Sequence, residues 1–371
     1  MNVACSSKLS VLPEVEMALL AAKIPLFGVV SLEPEFLSKN EIFMRSNDAY
    51  QKFISNHWHA GMFFLERNQD VRRNPAKVLS GAMSAIVVGV PYDSREFQKG
   101  EFWKYVARYA RVGDYHKRIK NVLEGVGIQL RSSISEDFKF RVVVDSVPFF
   151  ERSFSEMAGV GFVGKNTCLI APGSGSFLFL GSLLTTLPVS SLTFSDEKMS
   201  ELVESGKERQ IPSCGECLRC VGFCPTRAIV APFKIDARRC LAYWSIEHRG
   251  IVPDEFVPHF ARTVFGCDLC QDVCPFNRGA DVSVGVPEPL SLHSDSGLSV
   301  LDVARMTESQ YERWFGGSAL TRAKYAGLVR NVLYHLFAVQ AEGLEAILAE
   351  RWVEGHPDIC AVVQQIRRLK G

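Results

Sequence analysis

Neither sign of charge dominates this chain. Its 42 Lys and Arg face 41 Asp and Glu over 371 residues, a net charge of +1. No global field therefore draws it to nucleic acid, and any such contact must use a local patch. Long apolar runs are also lacking. "MALLAAKIPLFGVVSL" is interrupted by Lys23 and Pro25, and "FLFLGSLLTTLPV" falls well short of the roughly 20 residues that a spanning helix needs. The start of the chain has no basic segment of the secretory kind. A soluble, cytoplasmic protein without membrane contact is expected. Secretion being unsupported, the 11 cysteines do not read as a disulfide framework, which belongs to small secreted domains. Apolar content of 47% and charged content of 22% are those of an ordinary globular enzyme.

What the chain does have is a crowd of thiols. Eight cysteines lie between Cys214 and Cys274, while Cys5, Cys168 and Cys360 are scattered. "CGECLRCVGFCP" spaces four of them as C-x2-C-x2-C-x3-C before Pro225, and "CDLCQDVCP" repeats the last three before Pro275. Zinc sites usually show two well-separated C-x2-4-C pairs that close a tetrahedron; two zinc ions on the same eight thiols are the alternative. The observed run is that of bacterial two-cluster ferredoxins, whose fourth cysteine ligates the other [4Fe–4S] cluster. Reciprocity assigns Cys214, Cys217, Cys220 and Cys274 to one cubane and Cys224, Cys267 and Cys270 to the other. Cys240 is the nearby candidate for the eighth ligand. The second run is then complete, with an insertion from Leu241 to Gly266 that is placed to contact the rest of the protein.

Two cubanes move electrons one at a time, so the larger N-terminal part should hold what the electrons reach. Pro13 to Ala22 suggests a short amphipathic helix. "SAIVVGVPY" and "FRVVVDSVP" read as strands, and "GSFLFLGSLLTTLPV" as one or two more, broken by Gly181. "EFWKYVARYARVGDYHKRIKNVLEGVG" has helical spacing with a basic face (Arg108, Arg111, Lys117, Arg118, Lys120). An α/β domain follows from this alternation. "SDEKMSELVESGKERQ" reads as a polar surface connection. Beyond the cysteines, "LTRAKYAGLVRNVLYHLFAVQ", "GLEAILAERWV" and "DICAVVQQIRRLK" read as helices of the repeat type. Their basic residues Arg322, Lys324, Arg330, Arg367, Arg368 and Lys370 either touch phosphates or form a solvated face.

Three places suggest chemistry. Asp145 follows the strand "FRVVV", where open α/β sheets bind ligands; buried, its pKa would rise and it could act as a general acid, although a turn or cap aspartate is the plainer reading. "GVGFVGKNT" has glycines that permit close backbone approach beside Lys165 and Asn166, but fits neither the Walker run nor the dinucleotide fingerprint. Asp114 and His116 form a D-x-H without the glycine spacing of proteins that give histidine to cobalt.

Seven ordered runs carry a resemblance: "VARYARVGDYHK", "VDSVPFFERS", "GFVGKNT", "FLFLGSLLT", "CGECLRCVGFCP", "CLAYWSIEHRG" and "GCDLCQDVCPFNR". Together they resemble the epoxyqueuosine reductase family, from about Gly61 into the C-terminal helices. The resemblance implies three parts: a cobalamin-binding catalytic domain over 1–195, a ferredoxin-like domain with two [4Fe–4S] clusters over 205–285, and a helical-repeat (HEAT-like) segment over 295–371. It implies reduction of the epoxide of epoxyqueuosine to an alkene at the wobble position of tRNA. Two electrons and two protons are consumed and water is lost. Co(I) is strongly nucleophilic, and an acid must protonate the alkoxide that forms. Asp145 matches the family's proton donor, and Arg152, in the same motif, matches a catalytic position that could hold Asp145 or the substrate. Tyr109, Lys165, Asn166, Ser245 and Asp268 fall, with Asp145, in motifs that line the corrinoid. Ala242 stands where the family often has serine, which puts one polar contact in doubt. The implied partners are tRNA and an external low-potential electron donor, and the protein is expected to be a monomer. A corrinoid and iron–sulfur reductase of a small molecule (reductive dehalogenase-like) and a non-catalytic electron-transfer protein are the alternatives.

Overall fold

The computed structural model describes residues 11–92, 100–145, 147–193, 213–280 and 297–371. Cys5, Ser146 and the polar stretch 195–210 lie outside the described residues.

The apolar, β-branched runs form strands. β1 (Leu26–Ser31), β2 (Ser84–Pro91), β3 (Phe140–Val143) and β4 (Leu178–Thr185) make one sheet in the order β1-β2-β4-β3. Every neighbouring pair is antiparallel, so the domain is mixed α and β without the parallel crossover units that the sequence suggested. Every residue of β2 is buried because both faces of the sheet are covered. Alternate side chains point to opposite faces. Ile86 and Val88 meet helix α1 (Pro13–Ala21) and helix α2 (Tyr115–Ser133), whereas Ala85 and Val87 meet helix α3 (Glu151–Met157). Gly181 does not break β4, since it pairs with Val88. A Cβ there would stand 2.9 Å from Ile119, so glycine is what lets α2 lie close on the sheet.

The helix expected over 101–127 starts late. Residues Phe102–Tyr105 and Arg108–Arg111 are single 3-10 turns. The α-helix begins after Asp114, whose carboxylate accepts the amide hydrogens of His116 and Lys117 and so caps it. That cap fixes the first turn of α2 against the end of β3.

The C-terminal helices α4 (Lys324–Ala338), α5 (Leu344–Glu354) and α6 (Pro357–Lys370) share one hydrophobic core with Phe102 to Ala110 and with the insertion that follows Cys240. Buried Arg330 fastens this junction. It donates to the carbonyls of Trp244 at 2.7 Å, His248 at 3.0 Å and Gly250 at 2.8 Å. Asn331 donates to the carbonyls of Ser245 and Val264. Arg330 is therefore a structural clamp, not part of an exposed basic face: the run of basic residues in sequence did not show which side packs inward. Arg322 pairs with Glu247, Arg368 with Asp254 and Lys370 with Glu345. Among the described residues, no helix is long and apolar enough to cross a membrane.

Candidate active site

The eight clustered cysteines fall into two groups of neighbours. Burial raises the pKa of Cys220, with the sulfurs of Cys214, Cys274 and Cys217 adding to it. Burial also raises that of Cys274, beside Cys214 and Cys217. In the other group burial pushes Cys267 up to about 12, with Cys240 and Cys224 as neighbours. The Cys270 thiol is raised by its hydrogen bond to Cys168, by burial, and by Cys267 and Cys240. The insertion thus folds Cys240 back beside the second group. Among the described residues, the only three donors of His, Cys, Asp or Glu lying mutually within 4.8 Å are His57, His59 and Glu66. Among the described residues, no three cysteine sulfurs are that close. Sulfurs bound to one zinc ion at about 2.3 Å would be closer, whereas thiolates on separate irons of a cubane stand wider apart. Backbone amides already point at two of the sulfurs, Lys165 N–H at Cys214 (3.4 Å) and Ala228 N–H at Cys224 (3.2 Å); hydrogen bonds of this kind tune cluster potential.

A cluster of carboxylates lies at the end of β3. Asp145 sits there with φ of +44°, a conformation rare for a non-glycine residue. Its amide donates to Glu151 Oε1 at 2.5 Å, and its exposed Oδ2 lies 2.9 Å from His116 Nε2 and 3.4 Å from the Tyr115 hydroxyl. His116 Nδ1 is 3.2 Å from Asp114 Oδ1, so both ring nitrogens are engaged. The Tyr115 ring stacks between His116 and Phe179. The expected rise in the Asp145 pKa does not occur: the hydrogen bond from His116 outweighs burial, and the charges of His116 and Arg152 lower it further. Burial depresses the His116 pKa, but the bonds and charges of Asp145 and Asp114 prevail, and the net direction is upward. Protonation of His116 and ionisation of Asp145 therefore favour each other. Glu151 moves the other way. Burial, then the charge of Asp145, pushes its pKa up to about 8, so it is mostly protonated at neutral pH.

The remaining expected residues divide. Arg152 does not reach Asp145; it donates to the Thr167 carbonyl at 2.9 Å and acts on Asp145 through its charge. Tyr109 is raised by burial and then by Asp268 and Asp145, with Glu247 and Arg322 also near, which places it at the meeting point of all three parts of the chain. Asp268 is pushed up to about 6 by burial, although its Oδ2 accepts the Arg108 amide hydrogen at 2.7 Å. Lys165 reaches toward the cysteine segment, where Nζ donates to the Gly215 carbonyl. Buried Asn166 donates to the Cys270 carbonyl and accepts the Cys168 amide hydrogen. Ser245 is fully buried, donating to the Leu241 carbonyl and accepting from Gly266 N–H. Its hydroxyl ties the helix after Cys240 to Gly266.

Sequence reasoning missed Glu151 and the role of His116. Both lay inside quoted motifs, "VDSVPFFERS" and "DYHK", but only the fold brings α2 and α3 to the same carboxylate. Cys168, hydrogen-bonded to Cys270, carried no spacing signal.

The comparisons with known proteins fit this arrangement. Residues 213–277 match the family described as 4Fe-4S double cluster binding domain, and residues 72–146 match the one described as Epoxyqueuosine reductase QueG, DUF1730. The chain therefore carries a ferredoxin-like double-cluster domain, which supports two iron–sulfur clusters. The epoxyqueuosine reductase of Xanthomonas campestris pv. campestris is 32% identical over 350 residues, covering 91% of this chain and 89% of the relative. That of Escherichia coli (strain K12) is 32% identical over 296 residues, covering 77% of this chain and 73% of the relative. A crystal structure of selenomethionine-labelled epoxyqueuosine reductase shares the fold with a TM-score of 0.78 at 23% identity, covering 95% of this chain and 88% of the other. A crystal structure of epoxyqueuosine reductase with an epoxyqueuosine-modified tRNA-Tyr stem loop superposes with a TM-score of 0.77 at 23% identity, over 94% and 87% of the two chains. Matched along nearly its whole length to relatives of a single kind, this chain belongs to the epoxyqueuosine reductase family.

Proposed function

We propose that this protein is an epoxyqueuosine reductase, converting epoxyqueuosine in the anticodon of tRNA to queuosine. The observation that carries this reading is the 32% identity across 91% of the chain. Cys214, Cys217, Cys220 and Cys274 would hold one [4Fe–4S] cluster and Cys224, Cys240, Cys267 and Cys270 the other, following the grouping of their sulfurs. The three-part division, with a cobalamin-binding domain over 1–195, the cluster domain over 205–285 and helical repeats over 295–371, belongs to the same proposal.

The donor set suits a corrinoid. Tyr109, Asn166 and Asp268 gather between the second cysteine group and Asp145, and a carboxyl with a pKa of about 6 can donate or accept. His116 has both ring nitrogens bonded, so a cobalt ligand from it is not expected. Bound cobalamin would supply a low-valent cobalt able to reduce the epoxide with electrons from the clusters. The chain's own residues handle the protons. His116, bonded to Asp145, can carry a proton beside it, and the exposed Asp145 carboxylate can receive that proton and present it to the developing alkoxide. Glu151 keeps Asp145 in place by accepting its amide hydrogen. Lys117 and Arg118, exposed directly after His116, are placed to meet tRNA phosphates, which would make binding weaken with salt.

The test is conversion of epoxyqueuosine-tRNA, read by chromatography of the digested nucleosides. Wild-type protein with clusters and cobalamin should yield queuosine. Asp145→Ala should keep its iron and bound corrinoid yet yield none, and undiminished turnover would remove Asp145 from the reaction.

A further inference from the structure

His59 is an anomaly in the N-terminal domain. Its side chain is 1% exposed, yet neither ring nitrogen has a hydrogen-bond partner. Buried polar atoms are nearly always satisfied, and an orphaned imidazole calls for a cause. Glu66 Oε1 lies 2.7 Å from Nε2 as an ion-pair neighbour, and that nitrogen makes no hydrogen bond. Two ligands on one zinc ion at about 2.0–2.2 Å stand roughly 3.3 Å apart, so a cation entering between the nitrogen and the oxygen would spread them by about half an ångström. The third donor is His57, held at φ of +54°. One donor atom from each of His57, His59 and Glu66 lies within 4.8 Å of the other two. Phe53 and Phe63 flank the His59 ring at centroid distances of 6.4 Å and 5.9 Å, and apolar walls strengthen ligand–cation attraction.

We propose that His57, His59 and Glu66 form a site for a divalent transition-metal ion of the zinc class. Two imidazoles and a carboxylate are a common zinc set, water completing the shell on the open side. The site is separate from the cysteine groups and uses none of their residues. Its place suggests what it does. The Trp58 carbonyl between the two histidines accepts the Ala237 amide hydrogen at 2.8 Å, and Gly61 N–H donates to the Tyr243 hydroxyl at 3.1 Å. A metal here would pin this turn against the segment that presents Cys240, joining the N-terminal domain to the second cysteine group.

The experiment uses the full chain with its iron–sulfur clusters assembled. The protein is incubated with zinc chloride, desalted and analysed for zinc and iron, and the zinc environment is read by X-ray absorption. Wild type should retain about one zinc per chain, with nitrogen and oxygen neighbours at about 2.0–2.2 Å and no sulfur. His57→Ala and Glu66→Ala, both on accessible positions, should keep their iron and lose zinc at least roughly tenfold. Zinc retention in wild type below about a tenth of an equivalent would overturn the proposal. So would zinc with sulfur neighbours, or zinc unchanged in both variants.

Discussion

Replacing Glu151 by glutamine tests the electrostatics around Asp145 at a strongly perturbed carboxyl. The fold lifts this carboxyl from an ordinary 4.5 to about 8. A carboxyl that binds its proton more tightly folded than unfolded stabilises the fold below the unfolded value, and that contribution is lost as pH rises through the folded one. Between about pH 4.5 and 8 the loss approaches 1.4 kcal/mol for each pH unit. Water at the open side of the pocket reduces the total to a few kcal/mol at most. Glutamine keeps the volume and the acceptor for the Asp145 amide but cannot ionise. The wild type should therefore lose stability from pH 5 to pH 8 relative to Glu151→Gln. The gap should reach about 1–3 kcal/mol, several degrees in melting temperature. Anaerobic thermal unfolding followed by circular dichroism, at half-unit steps of pH, measures it. Melting curves that stay parallel across this range would refute the claim that Glu151 is protonated in the folded protein.

Further substitutions probe the other parts. His116→Gln should slow epoxyqueuosine turnover by roughly 10²–10⁴ while leaving iron content unchanged, because it removes the proton carrier and not a cluster ligand. In the wild type the rate should fall as pH rises through the raised pKa of His116, and this limb should be missing from the variant. Arg330→Met strands the carbonyls of Trp244, His248 and Gly250 in a buried junction. It should cost roughly 3 kcal/mol or more in unfolding free energy. Cys240→Ser should lower bound iron from about eight to about four per chain while sparing the first cluster's electron paramagnetic resonance signal; unchanged iron would remove Cys240 as a ligand.

Much of this could be read in the sequence because cysteine spacing is a local property. C-x2-C-x2-C-x3-C-P places sulfurs within a few residues of each other, so the double-cluster run was legible before any fold, whereas Cys240 lies outside both runs and was offered only as the nearby thiol. Strands were legible for the same reason: after Ser84, the run to Pro91 carries no polar side chain because both of its faces are covered. Their direction was not, since antiparallel pairing with β4 is set by residues nearly 100 positions away. The split turns before α2 escaped notice because the periodicity of 101–127 continues across the Asp114 cap. Asp145 was found by its place at a strand end, but its low pKa depends on His116, 29 residues away in sequence. Ser245 kept the hydroxyl expected from the resemblance, and packing turned it inward. Arg330 sat in a basic run that gave no sign of which side faces the core.

The most direct test of the account is turnover with and without the corrinoid. Protein carrying both clusters, supplied with a low-potential reductant and epoxyqueuosine-tRNA under anaerobic conditions, should form queuosine only after cobalamin is added, with a cob(II)alamin spectrum retained on the desalted protein. Queuosine formed equally well without cobalamin, or none formed with it bound, would contradict the account.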